Sequence, residues 1–116
     1  MAYVDGFVLA VPEKNKDAYL KLATEMAALF RDWGATKTVE CWGDDVPDGK
    51  LTSFPMAVKA EPGETVLFSW IWWPDKATRE AGHKKMMESK HMNAPADMPF
   101  DGKRMIFGGF EVILES

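Results

Sequence analysis

Cysteine is nearly missing from this sequence. Cys41 is the only one in 116 residues, so no internal disulfide can form and a reducing cytoplasm is the expected setting. Histidine is scarce as well, with only His83 and His91. On one helix that spacing sets them about 80° apart, and with one thiol they make no metal-ligand pattern. Both read as surface residues. Positive charge is in deficit: 14 Lys and Arg against 18 Asp and Glu leave a net charge of −4. Nucleic-acid binding rests on phosphate neutralisation, so such a chain is not expected to have a nucleic-acid partner. No apolar run approaches the roughly 20 residues that span a bilayer. The opening Met-Ala-Tyr-Val-Asp-Gly has neither a basic n-region nor an apolar h-region. The expectations are therefore no membrane, no metal and no cofactor.

What the chain has in quantity is aromatic surface. Seven Phe, five Trp and two Tyr bring about 150–250 Å² each to a core or an interface. Residues 1–116 suffice for one domain with its own core. The densest stretch is Thr65-Val-Leu-Phe-Ser-Trp-Ile-Trp-Trp73, closed by Pro74 and Asp75, which reads as a strand. Alternation sets Val66, Phe68, Trp70 and Trp72 on one face and Leu67, Ser69, Ile71 and Trp73 on the other. Neither face suits water, so both sides of this sheet need cover.

The remaining elements fall around that strand. Tyr3 to Val11 predicts a first strand, stopped by Pro12. From Asn15 to Trp33, Tyr19, Leu22, Ala23, Met26, Leu29, Phe30 and Trp33 form a helical stripe. Asn15 stands at the N-cap position and Gly34 at C′. Ala35 to Asp45 predicts a second, more polar strand, followed by a turn at Asp48-Gly49. Leu51 to Ala60 resists assignment, although Thr52 or Ser53 with Pro55 suits a short helical turn. Asp75 is a good N-cap for a second long helix over Lys76 to Lys90, whose apolar surface is thin and whose Gly82 costs about 1 kcal/mol relative to Ala. An irregular connection over Asn93 to Phe100 leads to a last strand, Lys103 to Leu114, interrupted at Gly108-Gly109.

The order β-α-β-β-α-β predicts an α+β, ferredoxin-like sheet. Right-handed crossovers put both helices on one face. The other face is then a bare apolar patch larger than monomers tolerate, and packing sheet to sheet against a second copy is the simplest cover. A homodimer is the expected partner state.

Several segments carry a resemblance. Tyr3-Val-Asp-Gly-Phe-Val8, Val39-Glu-Cys41, Asp44-Asp-Val-Pro47, Gly49-Lys-Leu-Thr-Ser-Phe-Pro55, Phe68-Ser-Trp-Ile71 and Met98-Pro-Phe-Asp-Gly-Lys-Arg-Met-Ile106, with Gly108-Gly-Phe110, resemble the YbaA-like family of small bacterial proteins. The resemblance spans nearly the whole chain. It implies a ferredoxin-like monomer pairing into a dimeric α/β barrel, in a superfamily that includes cofactor-independent monooxygenases and haem enzymes. It brings no established activity and no catalytic residues.

Candidate chemistry is sparse. Asp44 and Asp45 are adjacent carboxylates, with Glu40 on the same strand face as Asp44. Neighbours on a strand point oppositely, so they organise a turn more readily than they hold a cation. Cys41 lacks a Cys/His pattern and reads as a buried, inert thiol. Gly108-Gly109 suits a bulge or a close backbone approach rather than a phosphate loop. Asp5 and Arg104 each sit in an apolar strand pattern, where a charge needs a partner. The ligand-binding candidates are Asp5, Glu40, Arg79 and Arg104, lining a cleft between sheet and helices, with Trp70 and Trp72 as an aromatic wall beside Trp73. A structural ion pair accounts for the same charges. The expected function is binding of a small apolar or aromatic molecule in that cleft. The alternatives are a cofactor-independent monooxygenase or a non-enzymatic regulatory or stress-related dimer. Oxygenase chemistry needs a general base, and no histidine is placed in the core, so binding is preferred to catalysis.

Overall fold

A computed structural model describes residues 1–89 and 98–116. His91 and the expected helix end at Lys90 lie outside them, as does most of the Asn93–Phe100 connection. The elements are β1 (Tyr3–Pro12), α1 (Lys16–Asp32), β2 (Lys37–Trp42), α2 (Phe54–Ala57), β3 (Glu64–Trp73), α3 (Lys76–Glu88) and β4 (Ile106–Glu111), with short 3-10 turns at Glu13–Asn15 and Gly102–Arg104. The four strands form one sheet in the order β2-β3-β1-β4, and every neighbouring pair is antiparallel. This is the ferredoxin-like α+β arrangement expected from the element order.

Strand parity explains the layers. On β3, Leu67, Ser69, Ile71 and Trp73 are buried, whereas Phe68 is 41% exposed and Trp70 and Trp72 are half-buried. Register places Tyr3, Asp5, Phe7 and Leu9 of β1 opposite Trp73, Ile71, Ser69 and Leu67, so these residues share the side covered by the helices. Leu9, Val11 and Leu67 pack there with Tyr19 from α1. The C-terminal end of α1 brings Phe30 against Ala35, Ile71 and Trp73. Gly34 follows α1 with φ +114°, the left-handed C′ position that glycine occupies without a Cβ penalty.

Four local expectations need correction. Asn15 holds the N-cap position of α1 but its side chain makes no cap; its amide donates instead to the Pro99 carbonyl at 3.0 Å. The second strand covers Lys37–Trp42 rather than 35–45, because the chain turns outward at the exposed Asp44 and Asp45. The last strand is shorter too. Asp101 caps a 3-10 turn by accepting from the Lys103 amide at 3.0 Å, so Arg104 precedes β4 instead of entering it. Gly108-Gly109 makes no bulge: both continue the register, opposite Gly6 and Asp5. The unassigned segment is a short helix, with the Ser53 hydroxyl accepting from the Met56 amide at 3.1 Å. Beyond it Val58 is fully buried against Ala10 and Val66, which covers one end of the face away from the long helices.

Candidate functional site

Helix α3 has little apolar surface with which to dock. Ala77, Ala81 and Met87 are exposed, and Gly82 is its only buried residue. What holds it begins with shape. Trp73, 1% exposed, lies directly beneath Gly82, where an added Cβ would come within 2.6 Å of two indole ring atoms. The second hold is a carboxylate. Asp5, only 3% exposed, is the third residue of β1 and faces α3. Its Oδ1 accepts from Arg79 Nε at 3.1 Å and Nη2 at 2.8 Å. Its Oδ2 accepts from Trp73 Nε1 at 2.9 Å and lies 2.8 Å from His83 Nε2. Burial pushes the Asp5 pKa up, but the bonds from Arg79, His83 and Trp73 outweigh it and leave the group below the ordinary carboxylate value. The Arg79 guanidinium also lies 5.1 Å over the Tyr3 ring. A Cβ on Gly109 would meet its Nη2 at 2.7 Å, so Gly109 provides the close approach that sequence suggested for the glycine pair.

A second polar group lies under α1. Glu40 of β2 accepts from the Tyr19 hydroxyl at 2.5 Å and from the Ser69 hydroxyl at 2.8 Å. Burial and the neighbouring carboxylate push the Tyr19 pKa far above its ordinary value of 10.0. Arg104 is elsewhere again. Its guanidinium donates twice to Glu64, each at 2.7 Å, and also to Asp101 at 3.0 Å and the Lys59 carbonyl at 2.8 Å. This clamp fastens the 3-10 turn to the start of β3.

The four charges expected in one cleft are therefore distributed over three places. Asp5 and Arg79 meet; Glu40 and Arg104 have other partners. The aromatic wall is divided as well, because Trp73 faces α3 while Trp70 and Trp72 face the opposite side. The space beneath α3 is filled by Trp73. The concavity lies on the other face of the sheet, an open trough of about 520 Å³ lined by Val4, Val8, Phe68, Trp70, Trp72 and Phe110 among others. Register sets Cys41 beside Phe68 on this face, half-buried rather than buried. His83 also departs from expectation, since it bonds a buried carboxylate instead of standing as a free surface residue. The signal for it was available: Arg79 and His83 are four apart on one helix face, and Asp5 in an apolar strand demanded partners. Among the described residues, no three His, Cys, Asp or Glu side chains lie together as a metal site would need.

Residues 2–102 match a family of proteins of unknown function, DUF1428. The chain belongs to that family. It is 57% identical to the uncharacterized protein YbaA of Escherichia coli strain K12 over 116 residues, covering 99% of each chain. Its identity to the YbaA of Shigella flexneri is the same, 57%. The YbaA-like resemblance carried by the Asp5, Phe68–Ile71 and Met98–Phe110 segments thus extends along the whole chain. A dimeric ferredoxin-like protein from an uncultured marine organism superposes with a TM-score of 0.60, covering 99% of this chain and 98% of its own, at 12% identity. At that identity the likeness is one of fold. Among the described residues, no helix is long and apolar enough to cross a membrane.

Proposed function

We propose that this protein works as a homodimer, two copies packed open face to open face, and that the trough between their sheets holds a small apolar or aromatic molecule. The observation that carries this is the uncovered face itself. Strands of six to ten residues, about 3.3 Å per residue and about 4.8 Å apart, give it a projected area of roughly 400–600 Å². That is the upper part of the range of about 300–600 Å² that monomers leave open, rather than beyond it as expected from the element order, and a stable pairing takes roughly 800 Å² per partner. Phe54 and Met56 of α2, both exposed at the rim, extend the face towards that size. The fold neighbour described as dimeric supports pairing of two copies. A cytoplasmic setting suits Cys41, whose thiol shares this face.

The trough favours a neutral, flat ligand because its lining is almost wholly apolar. Binding is the better reading than oxygenation, since the histidine that touches a carboxylate lies across the sheet from it. N-phenyl-1-naphthylamine, a neutral aromatic fluorophore, tests the ligand half. The expected result is saturable enhancement of its emission with quenching of tryptophan fluorescence, both lost in Phe110→Asp. Emission unchanged by the protein while it is dimeric would refute ligand binding and leave the assembly standing.

A further inference from the structure

The Asp5 cluster does more than fasten a helix. Asp5 accepts three N–H groups, two from Arg79 and one from Trp73, and as an ionised carboxylate it has no proton to give to His83 Nε2. Both of its oxygens are therefore occupied as acceptors, and the imidazole facing it at 2.8 Å must present Nε2 with its proton. That fixes the tautomer. Nδ1 then carries the lone pair of the neutral ring, and the described residues offer it no partner. Among the described residues no buried side-chain nitrogen or oxygen lacks a hydrogen bond, so Nδ1 opens to solvent, consistent with a His83 side chain 34% exposed. The ring is further steadied edge-to-face against Trp73 at 6.0 Å.

The surroundings select a class of ligand. Lys76, Arg79 and His83 lie on one stripe of α3. Lys76 and Arg79 both stand over the Tyr3 ring, at 6.0 and 5.1 Å. Outside its bonds to Asp5, Arg79 has Nη1, held among the described residues only at 3.3 Å by Glu80, whose side chain is 58% exposed. Glu80 is thus the group that an incoming anion would displace.

We infer that His83 is an acid–base residue for a small organic anion, its Nδ1 taking or returning the proton while Lys76 and Arg79 hold the anion's carboxylate and Asp5 acts as the positioning residue. In the forward step the substrate's acidic C–H or O–H bond breaks, its electron pair stays on the substrate, and the proton moves to Nδ1. The imidazolium so formed is balanced by Asp5. This site lies across the sheet from the trough and does not depend on it.

The experiment uses the full-length chain with ring-¹⁵N histidine, and malonate as the probe anion. The neutral His83 ring is expected to show the Nε2–H tautomer, and malonate is expected to shift its signals saturably beyond sodium chloride of equal ionic strength. Diethyl pyrocarbonate should modify His83, with malonate protecting it; Asp5→Asn should slow that reaction about tenfold or more, and Asp5→Glu should restore part of it. Should Asp5→Asn fail to fold, Lys76→Gln, at an exposed position, is expected to fold and to weaken malonate binding about tenfold. The Nδ1–H tautomer, shifts no larger than those from chloride, or unchanged malonate binding in Lys76→Gln would each overturn the inference.

Discussion

Gly82→Ala sets two effects of opposite sign against each other, and the structure decides between them. Helix propensity alone predicts a gain, since alanine is favoured over glycine by about 1 kcal/mol in a helix interior. The site allows no such gain. The new methyl would come within 2.6 Å of Trp73 Cη2 and Cζ3 and 3.0 Å of the Trp33 carbonyl oxygen, against an ordinary carbon–carbon separation of about 3.5–4.0 Å. Something must move by about 1 Å. Trp73 is not free to do so, being 1% exposed, packed against Ala35 and Ile71, and bonded through Nε1 to Asp5. The helix must lift instead, which strains the bonds of Arg79 and His83 to Asp5. Overpacking costs about 1–3 kcal/mol, and lengthening those bonds adds to it, so the net is a loss of roughly 1–2 kcal/mol. For a chain of this size that lowers Tm by roughly 4–10 °C. Thermal unfolding followed by circular dichroism at one fixed protein concentration measures it. Ala81→Gly, at the exposed neighbouring position, is the control and should lose about 1 kcal/mol by propensity alone. A Gly82→Ala protein that melts higher than the parent would refute the docking described for α3.

Four further outcomes follow from the same contacts. Phe110 is 60% exposed on the open face; at about 150–250 Å² for the ring and about 25 cal/mol per Å², covering it contributes roughly 2–4 kcal/mol per copy. Phe110→Asp is therefore expected to weaken dimerisation by at least about 10³-fold while leaving the monomer's circular dichroism intact, as sedimentation velocity across a dilution series will show. Asp5 has a folded-state pKa below its unfolded value of 3.8, so its stabilisation is complete above that value and is lost as pH falls through the lower, folded one; Asp5→Asn should flatten this acid limb in urea titrations. Tyr19→Phe leaves the Glu40 carboxylate one donor short and is expected to cost about 1–3 kcal/mol. Arg104→Gln should lower Tm by freeing the turn before β4, and Arg104→Lys should recover only part, because a lysine cannot bond both Glu64 oxygens and Asp101 together.

Long periodic elements were legible in the sequence because their physics is local. The stripe from Tyr19 to Trp33, the Asp75 cap and the alternation of Thr65–Trp73 each depend on a few neighbouring residues, and together they dictate the βαββαβ order. What escaped was non-local. Arg104 sits in an apolar run, but its preference for Glu64 and Asp101 over a strand position depends on where the start of β3 lies. His83 looks like any helical surface residue until the register brings Asp5 beneath it. The same register sends Trp70 and Trp72 away from Trp73, so the candidate pocket changes sides of the sheet. The partial cover that Val58 gives to Ala10 and Val66 was equally out of reach, since Leu51–Ala60 carries no periodicity of its own.

Sedimentation equilibrium of the unmodified chain at micromolar concentration tests most directly whether the open sheet face is a contact between copies. The account predicts a species of twice the 13.0 kDa chain mass, with tryptophan emission shielded from acrylamide and becoming quenchable in Phe110→Asp. A homogeneous 13.0 kDa species whose tryptophans are already open to the quencher would contradict it.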